Sequence, residues 1–175
     1  MTAAAPPFTE LIAGTTISAA HLEMRDAYTP RDADYIAWQG GRPIKLIVQS
    51  PDHQWWSDLV RTHVERGVEF RRARVVSEPH ADFIRYEYES TPHLNLPAGE
   101  QVRWLPRRRA SDLCLPGNDF WLFDDRLVRF AHFAGDGEFL DDEICDEPSV
   151  VSLCAAAFNA VWQRAIDHAN YHPLR

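Results

Sequence analysis

The segment 68–76, Val-Glu-Phe-Arg-Arg-Ala-Arg-Val-Val, sets the architecture expected of this chain. Side chains two residues apart lie on the same side of a β-strand. The alternation of apolar and charged residues therefore predicts a strand in which Arg72 and Arg74 project from one face. The Ser-Glu-Pro sequence at 77–79 is expected to end it.

Helical patterns flank this strand on both sides. Apolar residues recur at helical spacing over residues 52–66, and Gly67 follows where a helix C-cap belongs. A shorter helix is predicted at 81–90, and a further strand at 101–105. The order strand, helix, strand favours parallel pairing of the two strands through a right-handed crossover.

The second half of the chain predicts a hairpin followed by a long helix. Apolar runs at 119–124 and 127–133 are separated by Asp125-Arg126, which is the spacing of a tight hairpin. An edge strand is expected at 138–144, where acidic residues discourage pairing with other strands. Apolar residues at helical spacing from 149 to about 168 predict a C-terminal helix that covers the sheet.

The first fifty residues carry weaker patterns. Proline and paired glycine interrupt them, so short helices are expected, and the β-branched run 44–48 predicts a strand. We expect a single domain over residues 1–175, with residues 1–50 as an N-terminal extension packed on a core of 51–175. The fold class is α/β, with α+β as the alternative: a mixed sheet of about five strands covered by helices.

Composition limits the class of protein. A length of 175 residues with 45% hydrophobic residues suffices for the core of one domain. No run approaches the roughly 20 apolar residues of a membrane helix, and the first residues lack the features of a signal peptide. We therefore expect a cytoplasmic protein with no membrane contact. The net charge of −8 makes direct binding to nucleic acid an unfavoured function.

The charges are distributed unevenly along the chain. The stretch from Arg71 to Arg109 holds eight arginines against five acids, whereas Asp136 to Glu147 holds seven acids and no base. Folding could bring the two stretches together and neutralise them internally. We favour that outcome over a basic binding face, because runs of charge are usually solvated surface.

The strongest candidate site is a polar set around the predicted strand ends. Arginine forks bind carboxylates or phosphates in a bidentate manner, so several of them in one cleft would suit an anionic ligand. An internal network with nearby acids is the alternative that we prefer, because arginines and acids are closely interleaved. The candidate ligand-binding residues are Arg72, Arg74, Glu78, Arg85, Glu87, Arg103 and Asp119.

Other patterns carry weaker signals. Asp119 with the pair 124–125 could bind a divalent cation, but adjacent aspartates also make a good turn, and we favour the turn. The basic run 107–109 could touch a phosphate backbone, although a solvated loop is the preferred interpretation. Histidines and cysteines show no metal-ligand spacing, and no serine lies in a nucleophile elbow. We expect no metal, no cofactor and no catalytic residue, and lean towards a protein that is not an enzyme.

Four blocks of sequence carry a family resemblance. They are residues 21–28 (HLEMRDAY), 71–79 (RRARVVSEP), 99–107 (GEQVRWLPR) and 116–124 (PGNDFWLFD). Together they resemble an uncharacterised domain family of high-GC Gram-positive bacteria, over nearly the whole chain. Members of that family are often encoded beside helix-turn-helix regulators, so the resemblance implies a regulatory or accessory role.

A more distant resemblance is to half of a phospholipase D-like fold. That family acts through a His-x-Lys motif followed by a distal Asp. The only lysine here is Lys45, and no histidine lies two residues before it. The nucleophilic histidine and phosphate-binding lysine of the family therefore have no counterpart, and phosphodiesterase activity by that mechanism is not expected.

Two functions from different classes follow from these observations. The first is a non-enzymatic regulatory or protein-interaction module, accessory to a DNA-binding transcriptional regulator, with a helix-turn-helix protein as its partner. The alternative is an enzyme or sensor that binds a small anionic ligand through the arginine cluster. A deep cleft lined by Arg72, Arg74 and Arg103 would favour the second, whereas an ion-paired strand end would favour the first.

Overall fold

The computed structural model describes residues 5–174. The described part of the chain contains seven α-helices and seven strands, with short 3₁₀ turns at Arg107–Arg109 and His168–Asn170. In chain order they are α1 (Phe8–Ala13), β1 (Ser18–Glu23), α2 (Ala33–Gln39), α3 (Ile44–Ile47), α4 (Pro51–Glu65), β2 (Glu69–Val76), α5 (Asp82–Ser90), α6 (Asn95–Ala98), β3 (Gln101–Pro106), β4 (Asp119–Phe123), β5 (Leu127–Phe133), β6 (Phe139–Cys145), α7 (Pro148–Arg164) and β7 (Ile166–Asp167).

All seven strands belong to one sheet, in the order β6-β5-β4-β1-β2-β3-β7. Strands β1, β2 and β3 run parallel, whereas the other neighbours pair in antiparallel fashion. The expected parallel pair is therefore present: β2 and β3 pair in parallel, and α5 and α6 lie in the connection between them. The fold is mixed α/β as expected, with two strands more than the sequence indicated.

Strand β1 lies in the middle of the sheet, between β4 and β2. Residues 1–50, expected to form an extension packed on the core, thus contribute a central strand. Ala19 and Leu22 of β1 are fully buried on opposite faces. The sequence of this strand, Ser-Ala-Ala-His-Leu-Glu, lacks the β-branched residues that mark strands, so its pattern did not predict one.

The prediction of a strand at 44–48 is wrong, because Ile44–Ile47 forms the short helix α3. Pro43 occupies the N-cap position, where its fixed φ and missing N–H cost nothing. Ile47 is fully buried, and Ile44 packs in the same apolar cluster as Phe83 and Tyr86 of α5. Residues three apart lie on the same face of a helix, so the apolar residues of this run pack the short helix α3 against α5.

The two faces of the sheet are covered by different helices. Helix α7 packs on one face, where Phe158 and Val161 meet a cluster that includes Leu22, Val75 and Leu105. On the other face, Val60 of α4 packs against a cluster of strand residues that includes Phe70 and Trp121. Arg72 and Arg74 share this second face with Phe70, because they are spaced by two along β2.

The predicted hairpin is formed by β4 and β5. Its turn begins one residue earlier than expected, with Asp124 and Asp125 at φ values of +51° and +50°. The N–H of Arg126 donates to the carbonyl of Phe123 over 2.9 Å. Two successive residues with positive φ match the type I′ turn that favours tight hairpins.

The predicted edge strand is present as β6, the last strand on its side of the sheet. It is bonded to β5, with a register shift near His132 and Phe133. Phe139 and Leu140 on this strand are exposed to 46% and 60%.

None of the helices within residues 5–174 is long and apolar enough to cross a membrane.

Candidate functional site

Arg72 and Arg74 form the centre of the candidate site. Both project from the face of β2 that looks towards α4, α5 and α6, as the alternation in the sequence predicted. They are only 8% and 4% exposed. A buried guanidinium requires carboxylate or other acceptor partners, because an unpaired buried charge costs several kcal/mol.

Glu23 bridges the two arginines from the neighbouring strand. The parallel register of β1 and β2 sets Glu23 opposite Arg74. Its Oε1 accepts a hydrogen bond from Nη1 of Arg72, and its Oε2 accepts one from Nε of Arg74 at 2.5 Å. One carboxylate at the end of β1 therefore joins the two guanidiniums.

Two further glutamates complete the pairing. Nε of Arg72 donates to Oε1 of Glu100 over 2.7 Å, and Asn95 holds the other oxygen of Glu100. Nη2 of Arg74 donates to Oε1 of Glu87 over 3.0 Å. We call Glu23, Arg72, Arg74, Glu87 and Glu100 the arginine–glutamate network, and it ties β1, β2, α5 and the start of β3 together.

Burial and charge act in opposite directions on the acids of this network. Burial disfavours ionisation of Glu23, but the guanidiniums of Arg72 and Arg74 outweigh it and hold the pKa of Glu23 well below its usual range. Burial raises the pKa of Glu87 to about 8, since it has only Arg74 close by and feels the charge of Glu23. Burial also lowers the pKa of His21 to about 3, so that imidazole is neutral at neutral pH.

Three of the seven sequence-predicted residues, Arg72, Arg74 and Glu87, meet in this network. Arg85 lies on the solvent side of α5 and pairs with Asp82 over 3.2 Å. Glu78 follows the C-terminal end of β2, and there it accepts a hydrogen bond from the hydroxyl of Tyr171 at 2.7 Å.

Arg103 and Asp119 also lie outside the network. Arg103 is on the opposite face of the sheet, where it pairs with Asp167 over 2.8 Å and lies over the ring of Trp162. Asp119 of β4 accepts hydrogen bonds from the hydroxyl of Tyr28 and the N–H of Met24. Burial raises the pKa of Asp119 to about 6, and Glu23 contributes.

Glu23 and Glu100 were missed by the sequence analysis. Glu23 lies on β1, the strand that the pattern did not predict, so its place beside Arg74 could not be inferred. Glu100 immediately precedes the strand predicted at 101–105, and a parallel neighbour of β2 that starts there brings it beside Arg72. An acid directly before that strand was the available signal.

A cleft of about 360 Å³ opens beside the network. Phe8, Trp56 and Trp121 line it and contact one another, with ring centroids 5.0 to 5.8 Å apart. The guanidinium of Arg72 lies 5.6 Å from the ring of Trp56 and 5.5 Å from that of Trp121. His21 stacks on Trp121 at 4.2 Å. Three aromatic residues of the cleft thus shield the buried charges.

The family of the chain is shown by sequence comparison. A sequence-family model described as a domain of unknown function (DUF6879) matches residues 6–173. This chain belongs to the DUF6879 family. The expected membership of an uncharacterised family is therefore confirmed, and no curated protein matches the chain.

The other polar candidates of this DUF6879 domain hold its backbone in place. Asp124 accepts hydrogen bonds from the N–H groups of Thr16, Ile17 and Ser18, at distances between 2.8 and 3.3 Å. Its carboxylate thus fixes the segment before β1. Within residues 5–174, no three acids, histidines or cysteines are grouped so that they could hold a metal ion.

The three arginines of the basic run 107–109 have different surroundings in the DUF6879 domain. Arg107 donates to the carbonyls of Met24 and Val75 and to the hydroxyl of Ser77. It therefore links the ends of β1 and β2. Arg108 and Arg109 lie in the short 3₁₀ turn after β3 and are exposed.

Proposed function

We propose that this chain is a non-enzymatic regulatory module that works by binding a DNA-binding regulator in the cytoplasm. The observation that carries the proposal is the open edge of the sheet at β6. Phe139 and Leu140 on that edge are exposed to 46% and 60%, and each is a large apolar side chain. Large apolar side chains exposed on an open edge strand favour pairing of that strand with another chain.

Strand addition is the mode of binding that this edge favours. An edge strand presents unpaired backbone N–H and C=O groups, which can pair with an extended segment of a partner. Main-chain hydrogen bonds would supply affinity, and contacts with the exposed side chains of Phe139 and Leu140 would supply specificity.

The charge of the edge indicates the kind of partner. The segment from Asp136 to Glu147 carries seven acids and no base. DNA-binding proteins concentrate Lys and Arg on the surface that contacts phosphates. A helix-turn-helix regulator, the partner that the family resemblance implies, would thus be attracted to this edge, and an acidic module bound there would compete with DNA.

The arginine–glutamate network supports a structural role for the central arginines. Each guanidinium is paired with two carboxylates from different elements. The alternative function, an enzyme or sensor for a small anionic ligand, would require Arg72 and Arg74 to release these carboxylates. That exchange is costly, because it would leave buried glutamates without partners.

Affinity capture from a native host extract tests the proposal. The tagged protein is used as bait beside Leu140→Lys, which places a charge on the edge of β6. Leu153→Lys is the matched control, because Leu153 is exposed to a similar extent, 53%, on the outer face of α7. Captured proteins are identified by mass spectrometry.

We expect the parent and the Leu153→Lys variant to capture a basic DNA-binding protein, and the Leu140→Lys variant to lose it. The proposal is wrong if the parent captures no such protein. It is also wrong in its placement of the surface if both leucine variants capture the partner equally well.

A further inference from the structure

The network beside the cleft holds more carboxylates than guanidiniums. Three glutamates, Glu23, Glu87 and Glu100, face two arginines, and each arginine is paired with two of them. A further carboxylate, that of Asp32, lies exposed in the lining of the same cleft. When Glu87 is ionised, four carboxylates in and behind the wall of the cleft therefore outnumber the two guanidiniums, which favours a cation over an anion.

Glu87 has unused hydrogen-bonding capacity. Its Oε1 accepts from Arg74, while its buried Oε2 has no hydrogen-bond partner among the described residues. The side chain lines the cleft and is 13% exposed. Buried polar atoms in folded proteins are normally paired, so a donor brought by a ligand would satisfy this oxygen after a small rotation of the carboxylate.

The walls of the cleft are aromatic on more than one side. Phe8, Trp56 and Trp121 form one group of rings, whereas Phe83 and Tyr86 of α5 form another, with centroids 5.9 Å apart. Aromatic walls suit a flat molecule and also attract cations. The volume of about 360 Å³ lies at the small end of the range of ligand pockets, which fits a molecule of one ring.

We propose that this cleft is a binding site for a small flat cation that carries N–H donors, of the amidine or guanidine class. The donors would bind the carboxylate of Glu87, and the body of the ligand would lie between the two groups of aromatic rings. Asp32 would attract the cation to the entrance. The inference does not depend on the partner proposed for the edge of β6, which is formed by other residues.

A matched pair of probes tests the charge and donor preference directly. Benzamidine is a flat cation with N–H donors, and benzoate is an anion with nearly the same shape. Binding of each probe to the whole protein is measured by isothermal titration calorimetry and by thermal melting at constant ionic strength, at a pH of about 9, because burial raises the pKa of Glu87 to about 8 and its carboxylate must be ionised to bind a cation. We expect benzamidine to bind and to raise the melting temperature, and benzoate to do neither.

Substitutions then locate the site. Glu87→Gln should weaken benzamidine binding by about tenfold, the loss of one charge-assisted contact. Glu65→Gln is the matched control, since it makes the same change at an exposed position of α4, and it should bind as the parent does. Asp32→Asn provides a second variant if Glu87→Gln does not fold. The asparagine keeps an oxygen that can accept the hydrogen bond from the backbone N–H of Tyr35, and the variant should weaken benzamidine binding measurably.

The inference is overturned by any of three results. These are a parent protein that does not bind benzamidine at millimolar concentration, binding of benzoate that equals or exceeds that of benzamidine, and benzamidine affinity that is unchanged in Glu87→Gln. If only Asp32→Asn folds, unchanged affinity in that variant overturns it instead.

Discussion

Arg74 donates hydrogen bonds to three side chains that come from different parts of the chain. Nε contacts Glu23 on β1, Nη1 contacts Thr91, and Nη2 contacts Glu87 on α5. The guanidinium also lies 5.0 Å from the ring of Trp104. At the scale of single residues, this side chain therefore connects the sheet to the helix that covers it.

Truncation of Arg74 should be strongly destabilising. Arg74→Ala leaves Glu23 with one guanidinium and Glu87 with none, and breaking a buried ion pair on one side costs about 3–5 kcal/mol. Arg85→Ala is the control, because Arg85 and its partner Asp82 are exposed and such pairs contribute about 0–1 kcal/mol. Urea denaturation of both variants measures the difference. Equal losses of stability would show that the network does not hold the fold.

Glu87 should make the stability of the protein depend on pH. Its pKa is raised to about 8 by burial, above the ordinary value of 4.5. Between these values the folded state keeps a proton that the unfolded state has lost. Rising pH therefore favours the unfolded state, with a slope of at most about 1.4 kcal/mol per pH unit.

The window from pH 7 to 8 isolates Glu87. His21, with a pKa of about 3, stabilises the folded state as pH rises to its unfolded value of 6.5 and no further. Asp119, with a pKa of about 6, has released its proton by pH 7. We expect thermal melts of the parent to show a loss of stability from pH 7 to 8, and those of Glu87→Gln to show little change. A parent whose stability rises across this window would contradict the account.

At the scale of elements, one carboxylate connects the β4–β5 turn to the start of β1. Asp124 accepts from three successive backbone N–H groups, and its pKa is lowered by these bonds although burial opposes ionisation. Asp125 has the same backbone conformation, but its side chain is exposed. The two adjacent aspartates therefore have different roles.

Substitution of the two aspartates should have opposite effects. Asp124→Ala leaves backbone donors unpaired and should cost about 1–3 kcal/mol. Asp125→Gly places glycine at a φ of +50°, where it is unstrained, and should be neutral or stabilise by a few tenths of a kcal/mol. Chemical denaturation compares the two. A stabilised Asp124→Ala variant would show that its hydrogen bonds do not anchor β1.

The elements that the sequence predicted are those with a clear hydrophobic period. The helix at 52–66, the strand at 68–76 and the hairpin at 119–133 all follow such a period, and each was found within a few residues. Strand β1 could not be found in this way, because it is buried on both faces and built partly from alanine. The run 44–48 misled for the opposite reason, since β-branched residues also fit a short buried helix.

The candidate site was predictable only where it depended on spacing within one element. Arg72 and Arg74 share a face because they are two residues apart on a strand. Their partners depend on which strands are neighbours, and that order includes β1. Arg103 was expected with them. It is the neighbour of Trp104 on β3, so its side chain lies on the other face of the sheet and faces α7.

At the scale of the whole molecule, β1 joins the two halves of the sheet. It pairs with β2 on one side and with β4 on the other, and Glu23 at its end joins the network. A fragment of residues 51–175 should therefore not fold cooperatively, whereas a chain that begins at residue 6 should. Near-ultraviolet circular dichroism and thermal melting compare the two. A cooperative transition in the fragment 51–175 would mean that the first fifty residues are dispensable.

The buried arginines stabilise the fold and are not a site for an anion. Thermal melting of the parent and of Arg74→Ala, each with and without phosphate or ATP at constant ionic strength, tests this directly. Because the guanidiniums are already paired, we predict that Arg74→Ala melts at a lower temperature and that neither anion stabilises the parent. Specific stabilisation of the parent by one of these anions, lost in Arg74→Ala, would contradict it.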